Sequence, residues 1–438
     1  MLDLRPLRSA GFRHVAAASW VNEFGNWVGE IALAILVYNR THSPIATAVL
    51  FVSLRFLPAL LAPLLTTKVE ALSPRLVLSS MFLLEAVIFV GIGQAAQQHF
   101  SLQVVLLLVA ADGVLAITTT ALTRTAAATG LLRDGLLREG NALINLGMMI
   151  AVAGGPAVAG VVAASHGAVN AIRIDAATFV VAALIIASAR HLTIDSDQDI
   201  GFRGRLRAGL GTLRTHPTVA RLLAAVCLVI GFGAVALPIE VVFAKQTLHA
   251  GDAGYGLLLT SWGVGMIFGG AGFAVAGQVR LMTMIGAGTI VEAIGYGGLA
   301  VAPTLVTACL FSCVGGIGNS VAWVAAKTAL QERIPLTRQA AVMSVLEASN
   351  QIVIAIGFMI GGAVTALTSP RIAYAISAAG VAVVVVAFTV RPIDRVSLSE
   401  SRKPNDPLSP RVPDRPSGHL KESAGSSRNS SLPSATTR

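Results

Sequence analysis

An all-α membrane fold of twelve transmembrane helices, in two six-helix bundles related by pseudo-two-fold symmetry, is predicted by three features of the sequence. Composition is the first: 54% of the 438 residues are hydrophobic, 12% are charged, and the mean hydropathy is +0.74, too apolar for a water-soluble chain. The second is a set of twelve apolar stretches, centred near residues 25, 55, 85, 112, 150, 180, 230, 264, 290, 315, 352 and 380. Each runs for about 20 residues and can cross a hydrocarbon core of about 30 Å. They are continuous rather than alternating, which excludes a spanning β-barrel. The third is an internal repeat with a period of roughly 200 residues. Arg124, Arg133, Arg138, the run Gly155-Pro156-x-x-Ala159-Gly160 and Arg190 are answered in the same order by Lys327, Arg333, Arg338, Gly361-Gly362 and Arg391. Glu85-Ala86 returns as Glu292-Ala293, and Asn39-x-Thr41 as Lys245-x-Thr247. Like halves of this kind enclose a site near the middle of the bilayer.

Taken in order, the first six spans form an N-terminal bundle over residues 1–190. The segment 1–11 carries Arg5 and Arg8 but no cleavage-like site behind a short apolar core, so the first span is expected to be retained. Within it Glu23, Asn26, Trp27 and Glu30 stand at i, i+3, i+4 and i+7, one face of a helix. Pro58, Pro156 and Pro238 are expected to bend the second, fifth and seventh spans, because proline lacks the backbone donor and crowds the preceding turn. The polar stretch 191–217, with Asp195, Asp197 and Asp199 ahead of Arg203, Arg205 and Arg207, reads as the linker between bundles. Residues 218–391 form the C-terminal bundle. There Gly263, Gly265, Gly269, Gly270 and Gly272, then Gly315, Gly316 and Gly318, allow helices to approach closely. From 392 to 438 Ser, Pro and Arg dominate with almost no aromatic residues, which predicts a disordered tail.

The net charge of +10 does not point to nucleic acid, because the positive residues follow topology. With the N-terminus inside, Arg5, Arg8, Arg13, Lys68, Arg75, Arg124, Arg133, Arg138, the arginines of the linker, Arg280, Lys327, Arg333, Arg338 and the basic tail all fall on the inner side. Arg40, Arg173, Lys245 and Arg371 fall outside and Arg55 within a span. This asymmetry predicts a multi-pass membrane protein with both termini cytoplasmic. Cys227, Cys309 and Cys313 lie in apolar spans and imply neither a disulfide framework nor a metal site. The sequence has no Gly-x-x-x-x-Gly-Lys-Ser/Thr loop for ATP, and no nucleophile elbow or zinc motif. An enzyme or a primary pump is therefore not expected. A gradient supplies the energy, and no cofactor is implied.

Glu23, Glu30, Arg55, Glu85, Asp112, Glu240, Glu292 and Glu347 fall inside predicted spans, where a charge costs at least about 2.5 kcal/mol. The stripe of Glu23, Asn26 and Glu30 is expected to face a cavity, where a carboxyl can exchange a proton for a cationic solute. A structural ion pair with Arg55 of the second span is the competing reading. Asp112 and Glu240 are further candidates for the cavity wall. The repetition of Glu85 as Glu292 suggests a shared structural duty in inter-helix hydrogen bonding.

Several runs carry a resemblance to a known family. Gly25-Asn26-Trp27, Ala32-Leu33, Tyr38 and Thr41-His42-Ser43-Pro44 are similar to a Gly-Asp-Trp, Ala-Leu, Tyr and Thr-Gly-Ser-Pro pattern, with Asn26 in place of the usual acid. Asn141-Ala142-Leu143 followed by Gly155-Pro156-Ala157-Val158-Ala159-Gly160 is similar to a Gly-Pro-x-x-Gly-Gly antiporter element. Asp175-Ala176-x-x-Phe179 and the run from Lys327 to Pro335 match further motifs. Over residues 10–390 the chain resembles the major facilitator superfamily, particularly the bacterial drug-exporter branch that includes macrolide-efflux and enterobactin-exporter-like proteins. The family's cytoplasmic gate, near Gly-x-x-x-Asp-Arg-x-x-Arg-Arg, is represented only by Glu70 and Arg75 within Thr66–Arg75. The resemblance implies that spans one, four, seven and ten line the cavity. It also implies gating or structural roles for Glu70, Arg75, Gly155, Pro156, Asp175 and Lys327.

The resulting expectation is a secondary transporter of the bacterial inner membrane, a proton-coupled exporter of amphipathic or cationic small molecules that works by alternating access. Glu23, Asn26, Glu30, Arg55, Asp112 and Glu240 would form its site. Its partners are a small-molecule substrate and the lipid bilayer, without nucleic acid, and it acts as a monomer. Uptake or facilitated passage of a neutral or anionic solute, or a membrane sensor without turnover, are the alternatives.

Overall fold

Long apolar runs can satisfy their backbone polar groups away from water only by coiling, and every regular element among the described residues is helical. The computed structural model describes residues 4–69, 73–98, 100–132, 135–189, 192, 202–276 and 279–390. The helices are α1 (Ala10–Thr41), α2 (Pro44–Val69), α3 (Pro74–Gln98), α4 (Leu102–Leu132), α5 (Leu137–His166), α6 (Ala168–Ser188), α7 (Phe202–Thr215), α8 (Pro217–Ala234), α9 (Glu240–Val242), α10 (Gly251–Val275), α11 (Leu281–Val301), α12 (Leu305–Glu332), α13 (Leu336–Leu367) and α14 (Pro370–Val390). Eleven candidate spans among the described residues are long and apolar enough to cross a membrane: α2 to α6, the stretch Pro217–Thr247, and α10 to α14. The 32-residue α1 packs against α5 and α6 as the twelfth, its apolar character diluted by the polar stripe.

Short connections fold these helices as antiparallel neighbours. The turns after α1, α3, α5, α11 and α13 and the turn before α10 therefore share one face, termed distal. The N-terminus and the other connections lie at the proximal face. The helices before α7 pack among themselves, as do those after it, and the two groups meet through α2 against α13 and α5 against α10. Small residues make these crossings close: a Cβ on Gly256 would strike the Pro156 carbonyl, and one on Gly362 would reach Ala48 of α2. Phe51 and Phe358 add a ring contact across the groups at 5.5 Å between centroids.

The two groups close around each other at the distal end. Ile31 to Tyr38 of α1 and Ile239 to Ala244 of the seventh span are buried on every side, and one hydrophobic cluster holds Ile31 to Tyr38 together with Val241, Val242 and Ala244, joining both groups. Toward the proximal face the second group has its own core, from Val219 to Leu346, while Arg124 of α4 and Glu347 of α13 are exposed. The space between the groups thus opens proximally.

The expected bends differ in kind. Pro58 and Pro156 sit within uninterrupted helices. At Pro238 the seventh span breaks into a 3₁₀ turn at Leu237–Ile239, the short α9, and a π-helical stretch at Phe243–Thr247. The missing proline N–H ends the α ladder there, and wider coils of this type cluster at functional sites. The polar linker also contains structure: α7 lies along α13, with Gly209 so close that a Cβ would meet the Ala341 carbonyl. Glu70, Arg133, Arg190, the linker residues 193–201 and the tail 392–438 lie outside the described residues.

Candidate functional site

The floor of the proximal opening is an ion pair at mid-depth. Glu30 lies about three helical turns before Thr41 at the end of α1, and Arg55 about three turns after Pro44 at the start of α2. At about 1.5 Å per residue both sit roughly 16 Å from the distal ends. Arg55 Nη2 donates to both Glu30 carboxylate oxygens, at 2.8 and 2.7 Å. The Glu30 side chain is 15% exposed and that of Arg55 41%, so the pair is reached from the proximal space rather than sealed in the core. The competing structural reading therefore applies to Glu30, which has found its counter-ion.

Glu23 stands two turns nearer the proximal face, without an ion-pair partner among the described residues. It lines a cavity with Ser19, Asn22, Thr123, Arg124 and Asn145, whose free volume of about 20 Å³ has room for one water. Arg124 is the cation that acts on it most strongly, followed by Arg55. Asn26 and Trp27 continue the stripe. Trp27 packs on Gly155, where an added Cβ would lie 2.6 Å from that of Trp27, and the next residue, Pro156, directs its carbonyl at Gly256 of α10. The Gly155-Pro156 element is thus the seam at which α5 meets both α1 and α10.

Arg124 and Lys327 correct the reading of the sequence, which grouped them with the charges of the inner connections. Each lies within its helix, about six turns on from Leu102 of α4 and from Leu305 of α12 respectively. Lys327 Nζ rests 4.3 Å above the centre of the Trp323 ring and feels Glu347 and Arg124. Glu347 also acts on Arg55 and accepts a 3.3 Å hydrogen bond from Gln351. Charges from both groups of helices therefore converge on the proximal space. The signal available beforehand was their matching place in the repeat.

Asp112 is not brought to Glu23 and Glu30. It is buried with Glu85 of α3 and Asp175 of α6, and Glu85 Oε2, Asp112 Oδ1 and Asp175 Oδ2 have no hydrogen-bond partner among the described residues. The cause is register: on α4, Asp112 faces α3 and α6. Thr119 donates to Glu85 at 3.1 Å and Thr178 to Asp175 at 3.1 Å. Asp175 is seated in a notch of α1, since side chains on Gly25 or Gly29 would occupy the place of its carboxyl oxygens.

Glu292 repeats the arrangement of Glu85. Both lie about three turns into their helices. Glu292 accepts from Asn319 of α12 at 3.1 Å as Glu85 accepts from Thr119 of α4. Their common role is to tie one helix to the next. Glu240, at the start of α9, is buried among Tyr255, Tyr296 and Tyr374. Tyr255 also feels Glu30, so this buried cluster of the distal closure adjoins the floor of the opening.

Of the residues expected to gate, Arg75 is exposed at the proximal start of α3. A distal latch was missed: Lys245 bonds Asn39 of α1 and Asp252 of α10, tying the second group to the first. Asn39 and Lys245 are the repeat-related pair seen in the sequence, but nothing there indicated that they touch. No group of three His, Cys, Asp or Glu able to hold a metal occurs among the described residues.

A family profile described as transmembrane secretion effector matches residues 2–419. No curated protein matches the chain. Among solved structures, the nucleoside transporter NupG is similar with a TM-score of 0.70 at 14% identity, covering 88% of this chain and 99% of its own. A bacterial homologue of the iron transporter ferroportin, in an inward-facing state, gives 0.68 at 13%, covering 88% and 98%. A bacterial homologue of the human lysosomal transporter Spinster gives 0.70 at 14%, covering 91% and 99%.

Proposed function

The chain belongs to the transmembrane secretion effector family of the major facilitator superfamily, and from that premise we propose that it is a proton-coupled exporter of amphipathic, cationic small molecules. The observation that carries the reading is the α1 stripe. It descends from the half-buried Glu23, on a small cavity walled by α1, α3, α4 and α5, to Glu30 at the floor, directly beneath the stretch of α1 buried on every side. A carboxylate at the open end attracts a cation, and the closed distal end holds it until the groups rock about the site.

In this proposal the proximal face is cytoplasmic, in a bacterial inner membrane, and the protein works as a monomer. Glu23 exchanges a proton for the cation. Glu30 and Arg55 form the floor, and their pairing opens when a substrate or proton competes for Glu30. Glu240, within the broken stretch of the seventh span, serves the opposite half of the cycle, while Asp112 and Asp175 brace the helices around α1. Everted vesicles holding an imposed pH gradient test this with a panel of lipophilic cations. Particular compounds should dissipate the gradient, and the Glu23→Gln, Glu30→Gln double variant should lose at least about nine-tenths of that response at unchanged expression. An undiminished response in the double variant would sink the assignment.

A further inference from the structure

Six charged side chains act on one another around the proximal space: Glu23, Glu30 and Glu347 against Arg55, Arg124 and Lys327. Glu30 and Arg55 neutralise each other at the floor. The remaining two acids and two cations have no ion-pair partner among the described residues. They form a layer of their own. Arg124 and Lys327, about six turns along α4 and α12, sit roughly 33 Å from the distal ends, and Glu23, about five turns before Thr41, roughly 27 Å. That layer lies between the Glu30–Arg55 floor and the proximal mouth.

Like charges meet across the gap. Arg124 (α4) and Lys327 (α12) come one from each group, close enough to act on each other, and among the described residues no carboxylate is in salt-bridge contact with either. Two like charges held at matching positions, with α1 contributing Glu23 and α13 contributing Glu347, are poorly arranged for a simple cation. The cation would gain from the acids and lose to the guanidinium and ammonium. They suit a solute with an anionic group to bridge the two cations and a cationic group to meet the acids. The half-buried Trp323 ring beneath Lys327 supplies apolar surface.

We propose that this layer is a binding site for an amphoteric solute, its carboxylate or other anionic group held between Arg124 and Lys327 and its ammonium group between Glu23 and Glu347. The inference rests on the transport reading above and changes its solute, adding to the cationic group that meets Glu23 an anionic group on the same molecule. Binding the anionic group draws α4 and α12, and hence the two groups of helices, together at the proximal side, which is the movement that would close the open face.

The test uses matched triplets of one aromatic scaffold each, such as tryptamine, tryptophan and indole-3-propionate, with the naphthyl and biphenyl equivalents. Gradient dissipation is measured in everted vesicles containing the full chain. The zwitterion of at least one triplet should act at lower concentration than its amine. Arg124→Gln and Lys327→Gln should each shift that zwitterion-to-amine ratio against the zwitterion by about tenfold or more, the loss of a charge-assisted hydrogen bond. The charge-keeping Arg124→Lys should retain the preference, and Arg8→Gln, exposed at the proximal end, should leave the ratio unchanged. A response to amines alone, or a ratio that neither Gln variant moves, overturns the amphoteric site and leaves proton-coupled cation export standing. No response to any member, from protein shown to be folded by thermal unfolding, overturns both.

Discussion

Asp175 shows how a single residue decides the packing of α1. Its carboxyl occupies the space that Cβ atoms on Gly25 and Gly29 would fill, so the close approach of α1 and α6 depends on two glycines one helical turn apart. Gly29→Ala is expected to lower stability by about 1–3 kcal/mol through overpacking. Gly272→Ala, at a helical glycine with nothing within 4 Å, should be neutral or slightly stabilising because alanine is the better helix former. Thermal unfolding of the two variants in the same detergent checks the contrast; equal midpoints would contradict the notch. At this scale the stripe of Glu23, Asn26 and Glu30 was legible, because helical spacing alone aligns it, and so was Arg55 as a partner at equal depth. Asp112 was not, because depth along a helix does not tell which way a side chain points. Arg124 and Lys327 were misread for a related reason. Their helices extend beyond the apolar run, so a basic residue past its end looks like a loop charge.

Among the elements, the seventh span carries the largest departure from regular helix. Its break at Pro238 was legible as a bend, but the π-helical stretch that follows was not, since no residue type marks it. The broken stretch holds Glu240 in the distal closure and Lys245 in the latch with Asn39 and Asp252. The crossing of α5 and α10 is the second decisive element, because Gly160 and Gly256 let the two backbones touch. Gly256→Val would force them apart at the distal end. We expect this variant to fold, since the remaining contacts between groups through α2 and α13 persist, but to lose most of its gradient-dissipating activity. Retained activity at normal expression would show that distal closure does not depend on this crossing.

For the whole molecule, twelve spans, the repeat and the helical class were readable from composition and periodicity, since a bilayer leaves a chain few ways to satisfy its backbone. Which helices meet across the halves was not readable. The α2–α13 and α5–α10 contacts depend on small residues at crossing points, and glycine-rich faces occur on many of these helices. Nor could the sequence say which end is closed; that follows from the burial of Ile31–Tyr38 and Ile239–Ala244 at the distal end and the exposure of Arg124 and Glu347 at the other.

A transporter of this architecture must reopen the distal end to release its solute, so solute-driven proton flux with the distal latch tied is the most direct test. Asn39→Cys and Lys245→Cys, in a chain with Cys227, Cys309 and Cys313 replaced, would be joined by a short cleavable thiol reagent in sealed proteoliposomes. The flux should vanish on cross-linking and return when the linker is cleaved. Undiminished flux through fully cross-linked protein would contradict alternation about this closed end.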